Sequence, residues 1–199
     1  MTEKTKKEKF LQATLELVYE KGFVATSMRD IAKNAGFEVA NIYNYIGSKE
    51  TFLEAYIFGM ITEFEGFMAQ VLESTYSPKD KLQFLISKHI RFTFQRPYEV
   101  ALFVYDWRNL KDPKLSDFKN FRKEYLTKFG SIIADGVAAG QFRPMNIEMA
   151  TFLVFSSLRW LFNTVIHDNG EKNPIEIEKQ IADFIFEGIR RGSIWLDQG

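Results

Sequence analysis

Between Gly22 and Phe52 the sequence gathers side chains suited to contacting another polymer. Asn41, Tyr43, Asn44 and Tyr45 fall largely outward on a segment from about Glu38 to Ile46, in which Ile42 and Ile46, one turn apart, are the buried pair. The outward set is short, polar and aromatic. Just upstream, Thr26-Ser27 offers a hydroxyl to an unpaired backbone N–H, and Asp30 three residues after Ser27 completes a capping box, so a helix starts there. Ile31 and Ala32, with Met28 and Ala35, point one way, while Arg29, Lys33 and Asn34 take the other face. Gly36 stops this helix, Gly47 breaks the next, and Ser48 caps a third with Lys49 and Glu50 in its first turn.

Two short helices around a glycine turn have helix-turn-helix geometry, in which the second enters the DNA major groove and the first crosses the phosphate backbone. An ordinary helical hairpin whose Tyr and Asn face water fits the same spacing. The run T-S-M-R-D-I-A-K-N-A-G-F followed by I-Y-N-Y-I-G-S-K-E-T-F resembles the N-terminal domain of the tetracycline-repressor (TetR/AcrR) family of transcriptional regulators. The matching elements are Gly22-Phe23, Thr26-Ser27, Asp30-Ile31-Ala32, Ala35-Gly36, Tyr43, Tyr45 and Ser48-Lys49-Glu50, all within the first quarter of the chain.

The resemblance implies a set of DNA-binding residues. Thr26, with Ser27 beside it at the helix start, Tyr43, Tyr45 and Lys49 match the family's phosphate contacts. Arg29, Asn41 and Asn44 sit where the family reaches base edges, and their chemistry suits the task, since Arg pairs with guanine and Asn with adenine through two hydrogen bonds. This sequence departs from the pattern where Glu38 replaces the usual serine cap and Val39-Ala40 replaces a small or basic pair. A carboxylate suits a helix N-terminus but repels phosphate. Val39 is a candidate contact to a thymine methyl.

The remaining chain must position these groups. A helix from about Thr5 to Lys21, with Phe10, Ala13, Thr14, Leu17 and Val18 at helical spacing, would pack behind the pair. A long helix from Ser48 to around Ser74 leaves the first domain with no Gly/Ser/Pro linker, and the resemblance makes it the mechanical link between ligand pocket and DNA-binding domain. Prolines at 78, 97, 113, 144 and 174 punctuate further helices over about 78–95, 97–109, 114–139, 147–166 and from Asn173-Pro174 to Arg190-Arg191-Gly192, with Asn169-Gly170 in the loop before the last. With no strand pattern and no repeat, the expected fold is all-α with about nine helices. The expected division is a DNA-binding domain over 1–47 and a ligand-binding and dimerisation domain over 48–199.

Composition narrows the classes. At 199 residues, 46% hydrophobic and 26% charged, the chain is globular in type. No apolar run of membrane length is free of charge, and the lysine-rich start lacks a following apolar segment, so a cytoplasmic protein with no membrane partner is expected. The absence of cysteine removes disulfides, thiolate chemistry and sulfur metal sites. Net charge is zero, and through Lys49 eight Lys or Arg face six Asp or Glu, so any DNA-attracting field must come from local clustering. Lys4, Lys6, Lys7 and Lys9 form one cluster, either a phosphate-contacting arm or a solvated helix start.

Two further expectations concern assembly and sensing. The helix over 152–166 is apolar on nearly every face, and the last helix carries Ile181, Phe184, Ile185, Gly188 and Ile189. A helix apolar all round must be covered all round, so a homodimer through these two helices is expected, the alternative being two central core helices. Such a dimer would match a palindromic DNA operator. Aromatics crowd the middle helices, and His89 projects from an apolar face near Phe92. With Phe103, Trp107, Tyr125 and Arg159 these are candidate pocket residues for an apolar or amphipathic effector, against the plainer readings of a satisfied core histidine and a paired arginine. Two histidines far apart, no glycine-rich phosphate loop and no nucleophile elbow argue against an enzyme, and no metal or cofactor is expected. The expected function is a ligand-responsive regulator, most simply a repressor released from its operator; a helical protein-interaction module without DNA binding is the competing class.

Overall fold

The computed structural model describes residues 5–168 and 173–190, with Ala40, Asn41 and Asn44 described through their backbone only. The helices are α1 (Lys6–Lys21), α2 (Met28–Ala35), α3 (Val39–Ile46), α4 (Lys49–Glu73), α5 (Pro78–Gln95), α6 (Pro97–Tyr105), α7 (Lys114–Ala138), α8 (Ile147–Arg159), α9 (Leu161–His167) and α10 (Pro174–Ile189), with a 3-10 turn at Trp107–Asn109. Among the described residues the only β pairing is an isolated bridge between Phe142 and Arg190. The all-α expectation therefore holds. The described residues agree closely with the expected count of about nine helices; the helix expected over 147–166 breaks at Trp160, whose carbonyl accepts from Asn163 N–H at 3.1 Å, a tighter i+3 bond in place of the α-helical one. Lys4, Asn169-Gly170 and Arg191-Gly192 lie outside the described residues.

The caps follow the side-chain chemistry. Thr5 and Glu8 form a capping box at α1, and Ser27 and Asp30 form one at α2. Gly36 closes α2 in the left-handed conformation (φ 69°, ψ 34°), which a residue with a Cβ adopts only at a cost. Asn173 caps α10 through Ile175 N–H with Pro174 in its first turn. At α3 Glu38 occupies the cap position but its side chain makes no capping bond, so the unusual residue noted in the sequence leaves this helix without the usual polar start.

The chain divides into two compact units. The first runs through Thr62 and adds Arg96–Asn120. Its interior holds Phe10, Val18, Ile31, Ile42, Phe52, Leu53 and Ile57. Phe10, Phe37 and Tyr45 form a ring triangle with centroids 5.3–5.6 Å apart, joining α1 to α3. α6 packs beside α1, with Tyr98 edge-on to Tyr19 at 5.6 Å.

The second unit comprises Glu63–Gln95 and the described residues from Phe121 onward. Leu85, Ile86, Ile90, Phe129, Ile133, Leu161 and Phe162 form its core, and α10 packs on α5 through Ala182, Ile185 and Ile189. Gly136 on α7 must be glycine, because a Cβ there would meet the buried Phe142 ring at 2.2 Å.

Candidate DNA-binding and effector sites

In the first unit α2 and α3 form the expected pair. Ile31, Ala32, Ile42 and Ile46 are buried, whereas Ser27, Arg29, Val39 and Tyr43 are exposed. The Ser27 hydroxyl donates to Asp30 at 2.5 Å, and Lys21 pairs with the other Asp30 oxygen at 2.9 Å. The hydrogen bond from Ser27 first, then that from Lys21, holds the Asp30 carboxyl far below the usual carboxylate range. The α2 start is thus tied through Asp30 to both Ser27 and Lys21. Asn41 and Asn44 lie on α3, but their side chains are outside the described residues.

Three expected phosphate contacts have other occupations. Thr26 is fully buried, and its hydroxyl donates to the Gly22 carbonyl at 2.8 Å, so it closes the α1–α2 turn instead of facing a ligand. Tyr45 keeps its ring against Phe10 and Phe37. Lys49 directs its ammonium inward to the carbonyls of Phe23 (2.8 Å) and Thr26 (2.9 Å) and over the Phe23 ring at 4.6 Å. Helical spacing could not reveal these partners, because the turn at 22–26 that accepts them is irregular backbone.

In the second unit a ring nest surrounds His89. Phe64 stacks on the imidazole at 5.0 Å, Phe155 meets it edge-on at 5.6 Å and Tyr125 lies at 5.8 Å, with Phe92 5.4 Å from Phe64. Nδ1 sits 2.7 Å from the Leu85 carbonyl and therefore carries the proton, leaving Nε2 to accept from the Tyr125 hydroxyl at 3.3 Å. Desolvation pushes the imidazole pKa down to about 4 and the Tyr125 phenol upward. The nest thus sets a neutral imidazole and a phenol among apolar rings. Both ring nitrogens have partners, so His89 is also a satisfied core histidine.

Of the other pocket expectations, Phe92 and Tyr125 join His89, whereas Phe103 and Trp107 belong to the first unit and pack on Phe118 at 5.3 and 5.0 Å. Arg159 is exposed at the end of α8. Phe64 and Phe155 escaped the sequence reading; Phe155 lay within the apolar run on α8, assigned wholly to assembly.

α5 has two working faces. His89 enters the nest, while Ser87 and Arg91, each about 200° around the helix from it, both bind Glu178 of α10. Arg91 Nε meets Glu178 at 2.9 Å and the Ser87 hydroxyl donates to the other oxygen. Burial raises the Glu178 pKa, but these hydrogen bonds outweigh it and hold the carboxyl below its ordinary value.

α8 and α10 leave apolar side chains uncovered. Met149, Phe152, Leu153 and Trp160 are exposed on α8 and its end, and Phe184 on α10 is 76% exposed. Ile185 and Ile189 of the expected second face are instead buried within the unit.

Comparison with known proteins gives this arrangement its class. Residues 10–56 match the model of bacterial regulatory proteins of the tetR family, and residues 75–189 match the tetracyclin repressor-like C-terminal domain. The HTH-type transcriptional repressor KstR2 of Mycolicibacterium smegmatis is 26% identical over 189 residues, covering 93% of this chain and 91% of the relative. The fold superposes on the ketosteroid transcriptional regulator KstR2 of Mycobacterium tuberculosis with a TM-score of 0.84 at 19% identity, covering 96% and 98% of the two chains. It also superposes on AibR in complex with isovaleryl coenzyme A and operator DNA, with a TM-score of 0.74 at 19% identity and 95% and 100% coverage. The chain belongs to the tetR family, whose members are DNA-binding, ligand-responsive transcriptional regulators. The first compact unit does not stop at the N-terminal match, because α6 and the turn after it come from the C-terminal one.

Proposed function

We propose that this regulator is a cytoplasmic homodimeric repressor, not an enzyme, that leaves a palindromic operator when an apolar or amphipathic effector binds. The observation that carries the reading is the α2–α3 pair: Ile31, Ala32, Ile42 and Ile46 are buried, while Arg29, Val39 and Tyr43 are exposed. We assign DNA reading to 1–47, with Arg29, Val39, Asn41, Tyr43 and Asn44 as contacts and Ser27 as the cap that aims them, and effector binding and dimerisation to 48–199.

The exposed Phe152, Leu153, Trp160 and Phe184 support dimerisation through α8 and α10, because so many large apolar side chains left bare on these two helices call for a cover. The segment Ile147–His167 is long and apolar enough to match a membrane span, with mean hydropathy 1.4, but its break at Trp160 and its charges at Glu148 and Arg159 favour a protein partner. The nest of His89, Phe92 and Tyr125 supports an effector with an apolar body and one polar group. The isovaleryl coenzyme A held by AibR makes acyl thioesters the first class to try.

The test is selection of bound DNA from a random duplex pool at two salt concentrations. The expected result is a palindromic motif whose binding weakens as salt rises, because phosphate contacts release counterions. Such an operator should be released by an acyl-CoA in the parent and not in His89→Phe. No enrichment at either salt would shift the reading to a protein-interaction module.

A further inference from the structure

We propose that Lys49 and Asp106 are positioning residues that hold the backbone of Phe23 from two sides and so fix the start of α2, and with it the DNA-reading pair. On one side, the Lys49 ammonium lies 2.8 Å from the Phe23 carbonyl, 2.9 Å from that of Thr26 and 3.4 Å from that of Val24. An ammonium has three protons, and here three carbonyls receive them. Its stem and charge also lie over the buried Phe23 ring at 4.6 Å. In the free protein the ammonium is therefore directed at the turn's carbonyls.

On the other side, the Phe23 N–H donates to the carboxylate of Asp106, the residue that ends α6. Asn109 Nδ2 steadies the same carboxylate at 3.2 Å. Asp106 is partly desolvated, which raises its pKa to about 6 against the lowering effect of the Phe23 hydrogen bond; at neutral pH it remains an anion facing that N–H.

The turn needs outside anchors. Gly22 has φ 86°, and both the N–H and the hydroxyl of Thr26 bond back to Gly22, so these bonds close residues 22–26 on themselves. Lys49 and Asp106 supply the outside anchors. Ser27, the α2 cap, follows Thr26 directly, so a displacement of the turn is passed to Arg29 within one helical turn and through Gly36 to α3.

Two variants test the grip without and with DNA. Lys49→Met keeps an apolar stem but removes the ammonium, and Asp106→Ala removes the acceptor. By hydrogen exchange on the free protein, the Phe23 and Thr26 amides should exchange roughly 10-fold faster or more in either variant, with Leu15 in the middle of α1 unchanged. On the operator recovered by selection, each variant should bind roughly 10-fold weaker with an unchanged salt slope, and the double variant should lose little more than the worse single one. A slope shallower by about one in Lys49→Met would mean that the ammonium neutralises a phosphate and would overturn the proposal. Parental exchange at Phe23 in both variants, or additive affinity losses, would overturn it too. Should Lys49→Met fail to fold, Asp106→Ala carries the exchange and affinity readouts alone. If selection yields no operator, the exchange measurement still decides the grip, separately from the repressor reading.

Discussion

The helix starts around the α2–α3 pair and the surroundings of His89 are held by different forces. Around the DNA-reading pair the positions of helix starts are set by directional polar contacts: Ser27 with Asp30, Lys21 with Asp30, Lys49 with the carbonyls of Phe23 and Thr26. Around His89 the second unit uses rings whose mutual geometry tolerates a range of angles, from 8° for Phe64 on His89 to 83° for Phe155. Hydrogen bonds lose their strength steeply with misalignment, whereas ring contacts adapt. The helix starts of the first unit are thus fixed by directional bonds, and the surroundings of His89 by ring packing.

The contrast breaks most visibly in the core of the second unit. Phe129 is fully buried against Phe155 at 4.7 Å, and Phe129→Ala should cost about 3–5 kcal/mol in chemical denaturation. A loss under 1 kcal/mol would mean that the nest can collapse on a void, and that its rings are far more mobile than a packed core.

Acid gives the next largest effect and separates the units by sign. His89 has its pKa lowered from 6.5 to about 4, so its contribution to stability is present above pH 6.5 and is lost as pH falls towards 4, on the order of 3 kcal/mol in full. Asp106 has its pKa raised from 3.8 to about 6, so its contribution runs the other way, falling as pH rises through that window. Unfolding titrations from pH 7 to 4 should show a decline that flattens in His89→Phe and steepens in Asp106→Ala. Identical profiles for the parent and both variants would remove the electrostatic half of the comparison.

A smaller effect sharpens the polar side. Ser27→Ala removes the α2 cap and should cost about 1 kcal/mol of stability. Operator affinity should fall by more than that stability loss explains, because Ser27 also sets where Arg29 stands; an unchanged affinity would make the cap a matter of stability alone.

Much of this was legible in the chain itself. Capping boxes, the Gly36 and Gly47 stops and the proline punctuation announce the helices, because each depends on residues within four positions. The apolar face of α8 was equally plain from its composition. What the sequence hid depends on distant partners. Nothing local distinguishes a Lys49 that reaches phosphate from one whose protons go to a turn 23 to 26 residues earlier. The same holds for Phe103 and Trp107, which share the aromatic density of the middle helices with Tyr125 yet pack on Phe118 in the other unit. The break at Trp160 also left no mark, since no glycine or proline stands there.

Because Ser87 and Arg91 leave α5 on the side away from His89, descendants of this gene can exchange the rings around the imidazole for others without loosening the grip on Glu178. Changes in the ring nest need not disturb the packing of α10 on α5. Novelty and continuity are written on alternate faces of the same 18 residues.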